Sequence, residues 1–402
     1  MIVKEYIKRF EKLGFGMFVH FGPYSVVGKG EYVKYMHKMP WEEYMTYVQK
    51  FIPKKDWAEE LVKVAKNAGV RYITLTTRHH DGFSLYDTCG ITEYDAMHVC
   101  GRDLVREFVD ACRAADIIPF FYHTLLDWHE ESFRRDFPTY LKYLRASVEV
   151  LCRNYGEIGG FWFDGTWAKK DADWEEDALY GMIRSYQPET MIINNTSTSA
   201  RGELGHIELD SVTFERGKPK PINMAESPKY VASEMCDVFG NHWGYAEWDL
   251  AFRSPAEMIK SLMQCRRYGS NLLLNVGPMG DGSLRPIDVA IYEMIGKWVS
   301  LHDEVLSALP SGIKVENKED DFILEKDGVY YLVCMDLPME SDARGDADFT
   351  EVFKLGKTIK SVTWLDNGEN VEFAQNENNV TVTAKPFRYG SHLVVRIAKI
   401  TV

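Results

Sequence analysis

The chain has 402 residues, with 45% hydrophobic and 27% charged, and a formal net charge of −13 at pH 7. So acidic a balance argues against nucleic acid or an anionic membrane as partner and for a neutral substrate, and no apolar run reaches the ~20 residues a membrane span needs. Seven cysteines, an odd number without CxxC spacing, read as reduced core residues rather than a disulfide frame or zinc site.

The first residues, Met-Ile-Val-Lys-Glu-Tyr, lack a basic stretch leading into an apolar one, so a cytoplasmic location is expected. Phe15–Gly22 reads as a first strand carrying His20 at its end. A glycine-rich loop with Glu31 and Tyr32 follows, then helical patterns over Trp41–Phe51 and Asp56–Ala68. Arg71–Thr77 is β-branched and opens into Arg78-His79-His80-Asp81-Gly82. After a helix over Asp103–Ala115, Ile117–Thr124 forms a third strand running into Leu126-Asp127-Trp128-His129. Phe137–Tyr155 is a long helix with Pro138 in its first turn, and it leads to Gly159-Gly160-Phe161-Trp162-Phe163-Asp164-Gly165. That stretch is a buried aromatic strand ending abruptly in a carboxylate. Met191–Asn195, Asp210–Glu215 and Val231–Cys236 are strands five to seven, with little helical pattern between Asn195 and Phe252. Ser254–Tyr268 is helical, Asn271–Pro278 is strand eight, and Arg285–Leu301 is the closing helix.

Eight strands with interposed helices have the rhythm of a (β/α)8 barrel. Beyond Pro310 the pattern changes to short alternating segments, Asp321–Glu325, Val329–Met335, Ser361–Trp364, Asn379–Ala384 and Ser391–Ile397, separated by turns such as Lys326-Asp327-Gly328. The expected architecture is a catalytic (β/α)8-like (TIM) barrel over 1–308 and a C-terminal antiparallel β-sandwich over 309–402.

In a barrel, chemistry sits at the C-terminal strand ends. His20, His79, His80, Tyr122, His123, Asp127, Trp162, Asp164, Asn195 and Glu215 all fall there. Aromatic residues make up 13% of the chain, which suits a protein that stacks faces on sugar rings. Two chemistries fit a neutral substrate. In retaining glycoside hydrolysis, Asp164 is the nucleophile and a second carboxylate the acid and base, about 5–5.5 Å away. In the alternative, His20, His79, His80 and Asp164 hold a metal ion that activates water, although neighbours on an extended segment point to opposite sides and would separate His79 from His80. Glycine-rich Gly277–Gly282 lacks the lysine and spacing of a nucleotide loop.

The segments MFVHFG, GEY, RHHDGF, FYHTLLDW, FWFDG and NLLLNVGPMGDG, in this order from Phe15, together resemble the glycoside hydrolase family 29 α-L-fucosidases. The resemblance implies a barrel with a C-terminal β-sandwich, no metal and no other cofactor, and double displacement on fucosylated oligosaccharides or glycoconjugates. It assigns Asp164 as nucleophile, with Trp162 lining the sugar pocket and His20, His79 and His80 binding fucose hydroxyls. Glu31 and Tyr32 stand where the family has Glu-Trp, and Tyr122 stands near the anomeric centre. Trp243 is a further substrate-binding candidate. A strand-five arginine found in several members is missing, with Arg201 or Arg216 as substitutes. Glu215 is the first choice for acid/base and Glu234 the rival; Asp164 is expected to be ionised at working pH. Linkage preference is assigned to the loops between Thr196 and Tyr245, with a lean to α1,3/1,4-branched glycans. A fucose-binding barrel without turnover and a metal-dependent hydrolase are the other readings.

Overall fold

The computed structural model describes residues 3–222, 227–342 and 349–402. Residues 223–226, within the stretch to which linkage preference is assigned, lie outside the described residues. Eight parallel strands close a barrel in sequential order: β1 (Phe15–Val19), β2 (Tyr72–Arg78), β3 (Ile118–Thr124), β4 (Gly160–Asp164), β5 (Met191–Asn194), β6 (Ser211–Thr213), β7 (Ala232–Asp237) and β8 (Asn271–Val276). β8 pairs back onto β1, with Phe18 opposite Asn275.

Strands buried on both faces read as near-continuous apolar runs, and their period of two divides the residues between lumen and shell. Phe161 and Phe163 of β4 pack outward with the helices, whereas Trp162 joins Phe18, Tyr72, Phe120, Tyr122, Ile193 and Leu273 in the lumen. Outside lie the helices Trp57–Asn67, Leu104–Ala114, Phe137–Asn154, Glu176–Tyr186, Pro255–Arg267 and Pro286–His302. The last two begin with proline in the first turn, and Ser254 and Glu257 form a reciprocal cap for the former. Among the described residues no helix lies between β5 and β7, so the barrel is irregular there, as the helix-poor pattern predicts.

The N-terminal mouth is plugged by the helix Glu5–Glu11, for which the sequence pattern gave no signal. Its Tyr6, Ile7 and Phe10 are buried against residues that begin the strands, with the Phe10 ring 5.6 Å from Tyr72. Among the described residues this helix covers the lower end of the lumen.

The tail contains a five-stranded and a three-stranded antiparallel sheet. The first, in spatial order, is β13 (Ser361–Trp364), β16 (Arg396–Thr401), β11 (Val329–Cys334), β10 (Phe322–Lys326) and β9 (Leu309–Lys314). The second is β12 (Phe349–Lys354), β15 (Asn379–Ala384) and β14 (Glu372–Asn376). Alternation again assigns the faces: Leu324, Tyr331, Val333 and Ile397 join the barrel's core, while Ile323, Leu332 and Ile400 fill the sandwich. The Tyr331 hydroxyl donates to Glu304 at 2.8 Å and the Trp298 indole to the Val395 carbonyl at 3.1 Å, tying tail to barrel. The expected strand Ser391–Ile397 is displaced: the last strand begins at Arg396, and β9, β12 and β14 were not foreseen. No helix among the described residues is long and apolar enough to cross a membrane.

Candidate active site

A cavity of about 380 Å³ opens at the C-terminal mouth of the barrel, a volume suited to one sugar ring. Its walls bring together His20, Glu31, Tyr32, His79, His80, Tyr122, Trp162, Asp164, Glu215 and Trp243, which sequence reasoning had gathered from seven separate segments. Asn195, Arg216, Trp167, Ser197 and Thr198 also line it. The base is aromatic: Tyr122 stacks on Trp162 at 5.7 Å, and Phe18 meets Trp162 edge-on at 5.0 Å.

Asp164 ends β4 on the lumen side and is 8% exposed. The Gly165 that follows has φ +110°, and a Cβ there would lie 3.0 Å from the Leu126 backbone nitrogen, so glycine is needed to turn the chain away. The Tyr122 hydroxyl donates to Asp164 Oδ2 at 3.0 Å, and the Asn195 amide donates to Oδ1 at 3.2 Å. The same amide nitrogen donates to Glu215 Oε2 at 2.8 Å. Its orientation is fixed, because Asn195 Oδ1 accepts from the Ser197 N–H and the Thr213 hydroxyl, each at 3.1 Å. Contacts of 3.2 and 2.8 Å to one nitrogen bound the separation of the two carboxyl oxygens at 6.0 Å. Burial, and then the charge of Glu215, pushes the Asp164 carboxyl well above the usual carboxylate range, while Tyr122, Asn195 and the Gly165 N–H pull it back. Burial thus works against the ionised state expected of Asp164, and the three donors work for it.

All three pocket histidines are neutral, held there by burial; His20 and His80 are pushed down to about 3. The tautomer of two follows from their partners. Thr124 gives its hydroxyl proton to the Leu126 carbonyl, so Thr124 Oγ1 accepts from His80 Nδ1 at 2.7 Å. Asn275 Nδ2 donates to the Trp243 carbonyl at 2.7 Å, which turns Oδ1 to accept from His20 Nδ1 at 2.6 Å. Both rings therefore keep Nε2 unprotonated and able to accept from a hydroxyl, that of His80 lying 3.5 Å from Asp164 Oδ2. His79 Nδ1 is buried with no partner among the described residues, a polar atom that a ligand would satisfy.

The separation of His79 from His80 expected from strand alternation does not occur. Pairing of β2 with β3 shifts between Thr76 and Arg78, the strand ends there, and both imidazoles reach the pocket with ring centroids 4.2 Å apart. They do not converge with His20 and Asp164 on one ion: among the described residues the group with that geometry is Asp321, Cys334 and Glu351, in the tail.

Two of the gathered strand-end residues lie elsewhere. His123 faces away from the lumen, bonded to the Thr124 carbonyl at 2.7 Å, and Asp127 caps the turn beyond it by accepting from the N–H groups of His129 and Glu130. Glu234, the rival acid, does not line the cavity. It is buried in the lumen, where Tyr72 and the Trp162 indole donate to its two oxygens, and burial raises it to about 7. Glu31 accepts from the N–H groups of Trp243 and Gly244 at 3.1 and 2.8 Å and so anchors the loop that carries Trp243. Arg201 braces the Glu215 carbonyl from behind, whereas Arg216 enters the cavity wall with its guanidinium 5.1 Å over Trp243. Arg216 holds φ +46°, a strained conformation that aims its side chain.

Neutral imidazoles, indoles and two carboxylates sharing one amide suit a hydroxyl-rich ring whose bond is cleaved by acid and nucleophile, and on this barrel they define a glycoside hydrolase. The family model "Alpha-L-fucosidase" matches residues 3–304, and the chain belongs to that family. The tissue alpha-L-fucosidase of Rattus norvegicus is 26% identical over 363 residues, covering 82% of this chain and 76% of the rat protein. The structure of alpha-L-fucosidase isoenzyme 1 from Paenibacillus thiaminolyticus superposes with a TM-score of 0.83 at 26% identity, covering 99% of this chain and 98% of that one. A GH29 alpha-L-fucosidase from Bacteroides thetaiotaomicron, trapped as a covalent intermediate with 2-fluoro-fucosyl fluoride, has a TM-score of 0.82 at 23% identity, covering 100% and 96% of the two chains.

Proposed function

We propose that this chain is a retaining exo-α-L-fucosidase in which Asp164 attacks the anomeric carbon and Glu215 acts first as acid, then as base. The observation that carries the reading is the Asn195 amide donating to both carboxylates at 3.2 and 2.8 Å, which keeps their nearest oxygens within 6.0 Å. Retaining enzymes hold the two carboxyl groups about 5–5.5 Å apart, whereas inverting ones leave about 6.5–9.5 Å for a water. The trapped covalent intermediate of the Bacteroides thetaiotaomicron enzyme supports the same course. The enclosure of Glu234 by Tyr72 and Trp162 supports Glu215 as the acid.

An Asp164 oxygen forms a bond to C1 as the bond from C1 to the departing oxygen breaks, and the Glu215 proton moves to that oxygen. Water then attacks C1, Glu215 takes its proton, and the Asp164 ester is released as carboxylate. The pair needs its charge on Asp164 and its proton on Glu215. Tyr122 and the Gly165 N–H favour the charge on Asp164, and the positive charge developing on the sugar completes the arrangement. His20 and His80 accept from fucose hydroxyls through Nε2, and Arg216 takes the place of the missing strand-five arginine. The FYHTLLDW segment and Phe214-Glu215-Arg216 support a preference for α1,3/1,4-linked fucose on branched glycans.

The test is reaction with 2-fluoro-fucosyl fluoride followed by peptide mass mapping. A fluorofucosyl adduct on Asp164 is the expected outcome. An adduct on another residue, or release of β-fucose as first product by proton NMR, would overturn the assignment.

A further inference from the structure

Outside the pocket mouth stands an aromatic stack that the reaction as described does not use. Tyr35 is 63% exposed, and its ring lies on Trp128 with centroids 5.6 Å apart and planes 22° from parallel. Its hydroxyl makes no hydrogen bond among the described residues, so packing and hydrogen bonding do not require a tyrosine there. Trp128 in turn meets Tyr32 edge-on at 5.2 Å, and Tyr32 lines the cavity. Tyr32 also meets His80 edge-on at 5.5 Å, and His80 Nε2 lies 3.5 Å from Asp164 Oδ2. An unbroken series of rings thus runs from Asp164 to the outer surface.

The inner part of this series is rigid. The Trp128 N–H donates to the His80 carbonyl at 2.9 Å. Asp127 fixes the next two N–H groups at 2.8 Å each, and Gly82, at φ +82°, admits that carboxylate where a Cβ would lie 2.5 Å from its oxygen. A preformed, half-exposed aromatic surface loses little side-chain entropy when it binds a flat apolar face.

Resting on the fucosidase reading above, we infer that Tyr35 and Trp128 form a subsite beyond the fucose pocket that stacks the ring of the neutral sugar to which fucose is attached. The cavity holds about one ring, so the rest of a fucosylated oligosaccharide must lie at its mouth, and the stack is continuous with that mouth. Pyranose rings present an apolar C–H face, and Tyr35 offers a matching surface without charge.

The experiment compares wild type, Tyr35→Ala and Tyr35→Phe on two substrates: a Lewis-type fucosyl trisaccharide and α-L-fucosyl fluoride, which has no sugar leaving group. Tyr35→Ala is expected to raise KM on the trisaccharide about tenfold and to leave fluoride hydrolysis unchanged, with Tyr35→Phe close to wild type. Unchanged KM on the trisaccharide would overturn the inference, as would an equal loss on both substrates, which would mean that Tyr35 only supports the pocket. Wild type inactive on both substrates would overturn the fucosidase reading, and the subsite with it.

Discussion

The lower and upper halves of the barrel lumen are lined by the same strands in the same alternation, and each contains acidic groups among aromatic rings. They differ in how those acids are satisfied. Below, Glu234 has one donor for each oxygen, Tyr72 and Trp162, and the Glu5–Glu11 helix closes the space beneath. Above, Asp164 also has a donor for each oxygen, but one of them, the Asn195 amide, is shared with Glu215, and His79 Nδ1 has no partner among the described residues. A buried polar atom left unpaired costs about 1–3 kcal/mol, so the upper half is stable as built only at a penalty that a hydroxyl-bearing ligand removes. Acid type does not distinguish the reacting carboxylates from the structural one. A donor shared between two acids beside a cavity does.

The sharpest way to break this comparison is to remove the nucleophile. Asp164→Ala should lower kcat on the order of 10⁴-fold with circular dichroism and thermal unfolding little changed, because the residue faces a cavity rather than packed core. Activity near wild type would show that the upper carboxylates are structural too. Glu215→Ala should lower kcat about 10²–10³-fold on a fucosyl oligosaccharide and less on 4-nitrophenyl α-L-fucoside, whose leaving group needs no proton. Azide should restore turnover of that aryl fucoside and give a fucosyl azide, detectable by mass spectrometry. The same rescue in Glu234→Ala instead would exchange the roles of the two halves.

How much of this was legible beforehand follows from period and local chemistry. Trp162 and Asp164 were readable because a buried aromatic strand has no use for an acid except at its open end, and the eight strands because their apolar runs recur between helical patterns. The adjacency of His79 and His80 in one pocket was not readable by alternation, since the chain leaves the strand at Arg78. The strand-end reading and the resemblance placed both there. The bridging role of Asn195 depends on the Ser197 N–H turning its amide, a loop contact that no spacing encodes. The plug helix has only seven residues, about two turns, and its partners lie at the starts of strands far along the chain. Ser197 and Thr198 carry no signal of their own, being small polar residues in a loop.

Smaller effects test the donors above. Tyr122→Phe removes a hydrogen bond that lowers the Asp164 carboxyl, so that group should rise further. Asp164 must be ionised to attack, and activity falls as pH drops through its titration. The acid limb of the kcat/KM profile should therefore move to higher pH, with a loss of about tenfold at the wild-type optimum. A profile that keeps its acid limb while losing height would assign Tyr122 to substrate contact alone.

The smallest activity change belongs to the lower half. In Glu234→Gln the side-chain oxygen still accepts from the Trp162 indole, and the amide donates to the Tyr72 hydroxyl, so kcat/KM should stay within a few-fold of wild type. Stability should respond instead. Burial raises Glu234 from 4.5 to about 7 in the folded protein, the reverse of a salt-bridged carboxylate. Below the unfolded value both states hold the proton and the group exerts no pH-dependent pull. As pH rises from about 4.5 to 7 the unfolded chain ionises first, so this residue draws stability away, and the loss levels off above the folded value. Glutamine has no proton to lose. The thermal midpoint of Glu234→Gln relative to wild type should climb by a few °C across that window and then stay level, read by calorimetry at several pH values. A constant difference across the window would mean that Glu234 is ionised in the folded barrel, and that its two donors offset burial.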